Sequence, residues 1–375
     1  MKLTPHSSIA EHFKTVVDPR IERSKEHLLV DILTIAILAV ICGADGWVAI
    51  ASYGEAKADW LKTFLALPNG IPSHDTFSRV FARLEPEQLQ SAFLSWVRSV
   101  SRVTSGEVIA IDGKTVRRSY DKGAEKGAIH MVSAWASQNR LVLGQRKVDD
   151  KSNEITAIPE LLNVLDVNGC IVTIDAMGTQ TAIAEQIVAQ GADYVLSLKG
   201  NQGNLYEDVQ QLFDWARTQN FKDIDHDFYE TIEASHGRIE KRRCWSLGDV
   251  EHLIDAQKWA KLTSIAMVES VRDCQGKVSR EVRYYISSLT PDAQTLAEAI
   301  RTHWSVENPL HWVLDVAFRE DDCRIRTGYA PENFTLLRHL ALSALNQDDT
   351  LKMGIKNKRL RAGWDNEYLL KVLAG

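Results

Sequence analysis

The chain contains two segments in which a short apolar run ends in an aspartate followed by a small residue. These segments are VIAIDG at residues 108–113 and IVTIDA at residues 171–176, so Asp112 and Asp175 follow the apolar runs. Apolar runs of this length, rich in β-branched residues, predict buried strands. Side chains at the carboxyl ends of strands in an open α/β sheet line the edge where ligands bind. The pattern therefore predicts an α/β sheet with two carboxylates at one edge.

Two neighbouring carboxylates limit the chemistry of that edge. They repel each other, and burying both without a partner is costly. A divalent cation removes this conflict, because Mg²⁺ takes carboxylate, water and phosphate oxygens as ligands. Each aspartate taken alone is also explained by a turn after a strand or by a helix cap. The pair favours a metal site, but it does not identify an enzyme.

The order of the predicted helices and strands indicates the fold. Strands at residues 107–111, 129–136 and 141–148 form a meander. Helix, strand, helix and strand then follow at residues 155–165, 170–174, 180–190 and 194–198. This is the order of an RNase H-like α/β fold, in which helical crossovers make the later strands parallel. We predict an RNase H-like mixed sheet core, an inserted β-rich domain and an all-α N-terminal domain.

The same patterns divide the chain into four parts. We predict a helical N-terminal domain at 1–100, a catalytic core at 101–220 and 289–350, a β-rich insertion at 221–288 and a basic tail at 351–375. The apolar stretch at 28–43 is shorter than the ~20 residues that span a bilayer and carries Asp31, which favours a buried helix. In residues 70–84, Ser73 stands where a helix N-cap is expected. This region fits either a DNA-binding helix-turn-helix unit or a packed helical hairpin.

A third acidic position lies in residues 301–318. On a continuous helix this segment would present one polar row, made of His303, Glu307, His311 and Asp315. Pro309 lacks the backbone donor that a continuous helix needs, so we predict a break near Ser305, with Ser305 as the N-cap. A surface stripe of mixed charge would produce the same pattern.

Several long motifs occur in one order along the chain. IDGK contains Asp112, TIDAMGTQ contains Asp175, and HWSVENPLHWVLDV contains Glu307, while GIPSHDTFSRVF, HGRIE and KNKRLRAGWDNEYLL lie in the other parts. Together they resemble the bacterial insertion-sequence DDE transposases of the H-repeat-associated protein group, over almost the entire chain.

The resemblance implies an enzyme that cleaves and transfers DNA strands at the ends of an insertion sequence. Asp112, Asp175 and Glu307 would then hold Mg²⁺ or Mn²⁺ in a two-metal mechanism. The implied partner is double-stranded DNA carrying the terminal inverted repeats of the protein's own insertion element. The resemblance further implies a homodimer in the synaptic complex and a bacterial cytoplasmic protein that is nucleoid-associated when bound to DNA.

Related insertion-sequence transposases often carry Tyr-x2-Arg-x3-Glu-x6-Lys around the last carboxylate. Here Ile300, His303 and Leu314 occupy the Tyr, Arg and Lys positions, so the basic contacts must come from other residues. The predicted DNA contacts lie beside the predicted sheet edge, on the HGRIEKRR hairpin and around Glu307: Lys114, Arg117, Arg118, Lys199, Asn201, Arg238, Arg242, Arg301, His303 and His311. Solvated basic loops and an exposed charged hairpin would account for the same residues.

Charge and cysteine content narrow the function classes. The net charge of −6 argues against a chain that coats DNA through bulk positive charge, but not against a DNA enzyme, because local clusters of Lys and Arg decide DNA binding there. Five scattered cysteines without a C-x-x-C pair favour reduced thiols rather than a zinc ribbon or a disulfide framework. The first residues lack a signal-peptide pattern, and no membrane association is predicted. The alternatives left open are a metal-dependent nuclease of the same fold and a non-cleaving DNA-binding remnant.

Overall fold

The computed structural model describes residues 9–120, 127–148, 153–235 and 237–374. The chain forms two compact units. The first, which we call the helical unit, comprises Met1–Arg102, Gly113–Lys151 and Glu307–Gly375. The second, the sheet unit, comprises Val103–Asp112 and Ser152–Val306. These two units are defined by which residues are close in space. The four domains inferred from the sequence are a different division of the chain and stay a prediction.

Helices lie toward both ends of the chain, and strands lie between them. The helices are α1 Ile9–Phe13, α2 Leu29–Ile41, α3 Trp47–Ala56, α4 Ala58–Leu61, α5 His74–Phe81, α6 Pro86–Val100, α7 Glu154–Val164, α8 Thr181–Ala189, α9 Gly203–Thr218, α10 Ala293–Ser305, α11 Val313–Ala317, α12 Ala330–Gln347, α13 Ile355–Trp364 and α14 Asn366–Ala374. The strands are β1 Val108–Thr115, β2 His130–Ala136, β3 Leu141–Lys147, β4 Ile171–Ile174, β5 Asp193–Leu198, β6 His226–Ser235, β7 Arg238–Leu247, β8 Ser264–Cys274 and β9 Lys277–Ser287. A π-helical turn, Glu307–Trp312, precedes α11.

The sheet unit is built on a large mixed sheet. Its strand order is β1-β4-β5-β9-β8-β7-β6. In the helical unit the strand order is β3-β2-β1. β1 belongs to both descriptions because its residues up to Asp112 are assigned to the sheet unit and those from Gly113 to the helical unit. β1, β4 and β5 are parallel because α7 and α8 supply the crossovers between them. From β5 through β9, β8 and β7 to β6, each strand is antiparallel to its neighbour. The predicted alternation of helix and strand is therefore confirmed over residues 153–198.

The predicted β-rich insertion does not form a separate sheet. Its four strands extend the parallel strands, because β9 pairs with β5 from Val195↔Ser287 to Leu198↔Tyr284. β6 to β9 form an antiparallel meander, in which short turns join β6 to β7 and β8 to β9 and a longer loop, residues 248–263, joins β7 to β8. α10 packs on one face of this meander, and its side chains share a buried cluster with Cys244, Ala266 and Tyr285.

The apolar segment predicted as a buried helix forms α2, whose residues from Asp31 to Ile41 are buried. It packs against α12, another helix buried over most of its length. Asp31 accepts a hydrogen bond from the backbone amide of Leu67 at 2.9 Å, which satisfies this buried carboxylate. Among the described residues, no helix is long and apolar enough to cross a membrane.

Ser73 caps α5 as predicted, since its hydroxyl accepts a hydrogen bond from the backbone amide of Thr76. The buried face of α5 contacts neighbouring helices: Trp47 stacks on Phe81, and the side-chain amide of Asn333 donates to the carbonyls of Phe81 and Leu84. These contacts agree with the packed-hairpin interpretation of this region and leave its role in DNA binding untested.

The basic tail is folded rather than extended. Lys358 donates to the carbonyls of Leu345 and Asp348, and Arg359 donates to the carbonyl of Val40. Both cations are buried in α13. They tie the helices of this unit together, so the part of the tail available to a phosphate is limited to exposed residues such as Lys352 and Lys356.

Gly328 is required at the turn before α12. Its φ of +55° lies in the left-handed region, and an added Cβ would overlap the backbone carbonyl of Ala82. We expect Gly328→Ala to lower the free energy of unfolding by about 1–3 kcal/mol. Gly354→Ala, at a position with an ordinary φ of −65° and no atom near the added Cβ, is the control and should change it little. Thermal unfolding followed by circular dichroism compares the two, and equal midpoints would contradict the expectation.

Candidate functional site

Asp112 and Asp175 lie at the same level on neighbouring parallel strands. The register pairs Ile111 with Ile174, and the two aspartates are the residues that come next in the chain, Asp112 within β1 and Asp175 directly after β4. Parallel neighbours are about 4.8 Å apart, which brings the two positions side by side. One detail of the prediction is wrong: the first strand does not end before Asp112, since β1 continues to Thr115. Asp112 is thus held within a strand, whereas Asp175 directly follows one.

The loop after β4 fixes the Asp175 carboxylate. Its Oδ1 accepts hydrogen bonds from the backbone amides of Met177 at 3.0 Å and Gly178 at 3.3 Å. A side chain at Gly178 would collide with Ile174 and Ile158, so the loop can lie this close to the core only with glycine there. These two donors hold the carboxylate in one orientation at the end of the strand.

The loop after β5 is tied to the loop after β4. The Thr179 hydroxyl lies 3.0 Å from the Asp175 carbonyl and 2.7 Å from the Ser197 carbonyl, and the side chain of Asn201 donates to the Ala176 carbonyl at 2.7 Å. Lys199 is exposed on the same loop. Asn201, predicted to contact DNA, therefore already has a role in holding the Asp175 loop.

Glu307 begins the π-helical turn, and its carboxylate is exposed. The α-helix ends at Ser305, as predicted, but the N-cap role predicted for Ser305 is wrong, because its hydroxyl donates back to the Thr302 carbonyl. A π-turn widens the helix, which lets Pro309 enter without the clash that it causes in an α-helix. The turn brings Nδ1 of buried His311 to 3.5 Å from the Glu307 carboxylate.

The other positions of the predicted polar row have separate partners. His303 is buried and lies with its Nδ1 at 3.1 Å from the Thr173 hydroxyl of β4. Ile300 and Leu314, which stand where related enzymes carry Tyr and Lys, are buried. Asp315 accepts a hydrogen bond from Lys114 at 2.6 Å.

Lys114 is surrounded by carboxylates in the helical unit. Besides Asp315, its Nζ lies 3.2 Å from Glu320 and 3.6 Å from Asp321. Burial disfavours the charged form of Lys114, but these carboxylates outweigh it and raise its pKa above the ordinary value. One ammonium does not balance three carboxylates, and burial together with Asp321 and Glu320 raises the pKa of Asp315. Lys114, predicted to contact phosphates, is thus already held by ion pairs.

The remaining predicted DNA contacts are arginines at least partly open to solvent. Arg117 and Arg118 face Asp321 and Asp322 at 3.3 and 3.4 Å in the helical unit. In the sheet unit, Arg238, Arg242 and Arg301 form ion pairs with glutamates of β6 and β7. His236, which opens the HGRIEKRR motif, lies outside the described residues.

Sequence patterns missed a buried charged group beneath Lys114. Glu320 and Arg338, both almost fully buried, lie 3.4 Å apart. Burial alone would raise the pKa of Glu320, but the charges of Arg338 and Lys114 outweigh it and lower the pKa below the ordinary value. Burial lowers the pKa of neighbouring His339 to about 4, so this imidazole is neutral at neutral pH. Glu320 and Asp321, which follow the motif around Glu307 in the sequence, were the available signal, but their partner Lys114 is distant in sequence.

Comparisons with known proteins agree with the motifs. The family model described as "Transposase DDE domain" matches residues 104–344, and that described as "DDE_Tnp_1-associated" matches residues 10–97. The chain is 45% identical over 372 residues to "H repeat-associated putative transposase YhhI" of Escherichia coli (strain K12), covering 98% of each chain. It is 42% identical over 371 residues to "Putative transposase YncI" of Escherichia coli O157:H7, covering 98% of this chain and 94% of that one.

Among solved structures, one match is titled "Cryo-EM structure of piggyBac transposase synaptic complex with hairpin DNA (SNHP)". It has a TM-score of 0.37 and 11% identity, and it covers 94% of this chain and 80% of that one. At that TM-score the likeness does not establish a shared fold.

Proposed function

The chain belongs to the DDE transposase family, and on that premise we propose that Asp112, Asp175 and Glu307 are the three carboxylates that carry its chemistry. The protein is a DNA transposase, an enzyme of the polynucleotidyl transferase type. The observation that carries the assignment is the register of β1 and β4, which puts Asp112 beside Asp175. The meander followed by parallel strands supports an RNase H-like core for the catalytic part.

The three carboxylates fit divalent metal ions, on which the family's chemistry depends. Mg²⁺ and Mn²⁺ prefer carboxylate oxygens, and the three side chains supply oxygen ligands only. Asp175 is held by two backbone amides through Oδ1, so its orientation is set before an ion binds. Bound Mg²⁺ or Mn²⁺ ions would supply activation of water or a DNA 3′-hydroxyl for in-line attack and stabilisation of the leaving oxygen.

The residues of the chain position the reacting groups. Asp112 is fixed by the strand that contains it, and Glu307 by a π-turn in which His311 contacts its carboxylate. The same carboxylates serve strand cleavage and strand transfer, because these steps differ only in which hydroxyl attacks the phosphodiester. We further propose that the partner is double-stranded DNA with the terminal inverted repeats of the protein's own insertion element, bound by a homodimer that joins two ends.

The direct test uses wild-type protein and a labelled duplex that contains one repeat and its flank. We expect nicking at the repeat boundary with Mg²⁺ or Mn²⁺, no nicking with EDTA, and joining of the cut end to a second duplex. A duplex with a scrambled repeat is the control. Nicking without joining would favour the nuclease alternative, and binding without nicking would favour the non-cleaving remnant.

A further inference from the structure

The outer half of the meander β6–β9 carries a cluster of arginines on one face. On β7, β8 and β9, alternation and register place Arg238, Arg242, Arg272 and Arg283 on the face where α10 packs, and Arg301 of α10 reaches this face through Glu233. We call these five residues the arginine face. Three of them were predicted from sequence as DNA contacts, whereas Arg272 and Arg283 were not.

A buried carboxylate organises this face. Glu240, with only 2% of its side chain exposed, lies 3.4 Å from Arg238, 2.6 Å from Arg242 and 2.9 Å from Arg272. A guanidinium has five donors, so an arginine that uses one or two on Glu240 keeps others for a further anion. Fixing the guanidiniums in advance reduces the entropy lost when such an anion binds.

The other two arginines are fixed in a similar way. Arg301 and Arg242 share the Glu233 carboxylate at 2.7 and 3.4 Å. Arg283 lies over the Trp304 ring at 4.1 Å and pairs with Glu281 at 2.8 Å. Five arginines therefore face three glutamates, which leaves two positive charges in excess on a chain whose net charge is −6.

The opposite face of the same strands has a different character. Its outer half exposes apolar side chains, namely Ile232, Ile239 and Val278. The basic side chains beneath them share two carboxylates: Arg243 bridges Glu230 at 2.8 Å and Glu269 at 3.1 Å, Lys241 pairs with Glu230 at 2.8 Å, and Arg217 and Arg280 pair with Glu269. Both faces carry more cations than carboxylates in these groups, but the exposed outer half of the opposite face is apolar, so the arginine face is the one suited to a polyanion.

We propose that the arginine face binds the phosphate backbone of duplex DNA, with Glu240 positioning three of its five arginines. Phosphates suit this face because guanidiniums bind them through paired hydrogen bonds, whereas the exposed apolar side chains Ile232, Ile239 and Val278 lie on the opposite face. This contact does not depend on the DNA sequence, because the phosphates are the same at every base pair. The inference rests on the proposed function and adds the surface that holds the DNA.

The strands supply a matched test. The double variant Arg242→Gln/Arg272→Gln alters the arginine face, and Arg243→Gln/Arg280→Gln alters the opposite face of the same strands. Both remove two charges, and both take two arginines from one buried glutamate (Glu240 or Glu269). Affinity for the repeat duplex is measured in Ca²⁺ from low to moderate salt, and thermal unfolding compares the folded state of the two proteins.

We expect the first double variant to bind about 10- to 100-fold more weakly at low salt, with the slope of log K against log salt reduced by about 2. The second should bind as wild type does. Arg283→Gln, which touches neither buried glutamate, should reduce the slope by about 1 even if the first double variant folds poorly.

Two results would overturn the inference and leave the proposed function intact. In the first, wild type binds and nicks the duplex and both double variants weaken equally, so that only net charge matters. In the second, neither double variant weakens. A wild-type protein that does not bind the repeat duplex would overturn both the arginine face and the proposed function.

Discussion

We expect the Asp175→Asn variant to nick repeat DNA at least about 10³-fold more slowly than wild type. Bound metal ions lower the activation free energy by several kcal/mol, and losing about 4 kcal/mol of this slows the reaction about 10³-fold. Asparagine has the size of aspartate, and its Oδ1 still accepts the amides of Met177 and Gly178, so the loop should keep its shape. What is lost is the negative charge that attracts a cation. Single-turnover nicking in Mg²⁺ measures the effect, and duplex binding in Ca²⁺ should change less than about 3-fold.

Asp166→Asn is the matched control, because Asp166 lies in the loop before β4, whereas Asp175 lies directly after this strand. Its Oδ1 also accepts a backbone amide two residues on, from Asn168 at 3.4 Å, but it is exposed and lies at the opposite end of the strand. This variant should nick DNA at the wild-type rate. Equal rates for Asp175→Asn and wild type would remove Asp175 from the catalytic assignment, and equal losses in both variants would indicate a general effect on the fold.

Local sequence patterns were sufficient where a short segment determines its own structure. The apolar run of α2, the cap at Ser73 and the strand before Asp175 were predicted because side-chain periodicity and capping act within one helix or strand. The family resemblance is confirmed by the model that matches residues 104–344. The side-by-side placement of Asp112 and Asp175 followed from the expected parallel strands.

Contacts between distant segments could not be predicted. The pairing of β9 with β5 decides whether the β-rich segment forms its own sheet, and neither strand's pattern specifies its partner. Lys114 pairs with Asp315, which is 201 positions away in the sequence. Because this partner could not be inferred from the sequence, the charge of Lys114 suggested a phosphate contact instead of an ion pair. Pro309 indicated that the α-helix could not continue past Ser305, but the sequence did not specify that a π-turn would follow it.

The buried charges beneath Lys114 should dominate the stability of the helical unit. We expect Glu320→Gln to lower the free energy of unfolding by about 3–5 kcal/mol, because it leaves buried Arg338 without its charge partner and takes one carboxylate from Lys114. Among the described residues, two nitrogens of Arg338, Nε and Nη2, have no hydrogen-bond partner, so Glu320 is its main compensation. Urea unfolding followed by circular dichroism measures the change.

The pH dependence separates a charge effect from a packing effect. The pKa of Glu320 is lowered in the folded state, so its ionised form contributes stability above the ordinary carboxyl pKa and loses it as the pH falls through the folded value. The gap between wild type and Glu320→Gln should therefore be full at pH 7 and shrink in acid. Asp322→Asn, which removes an exposed carboxylate paired with Arg118 and Arg319 at 3.4 Å each, should cost less than about 1 kcal/mol. A gap that is equally large at every pH would mean that Glu320 acts through shape and not through charge, and the electrostatic account of this group would be wrong.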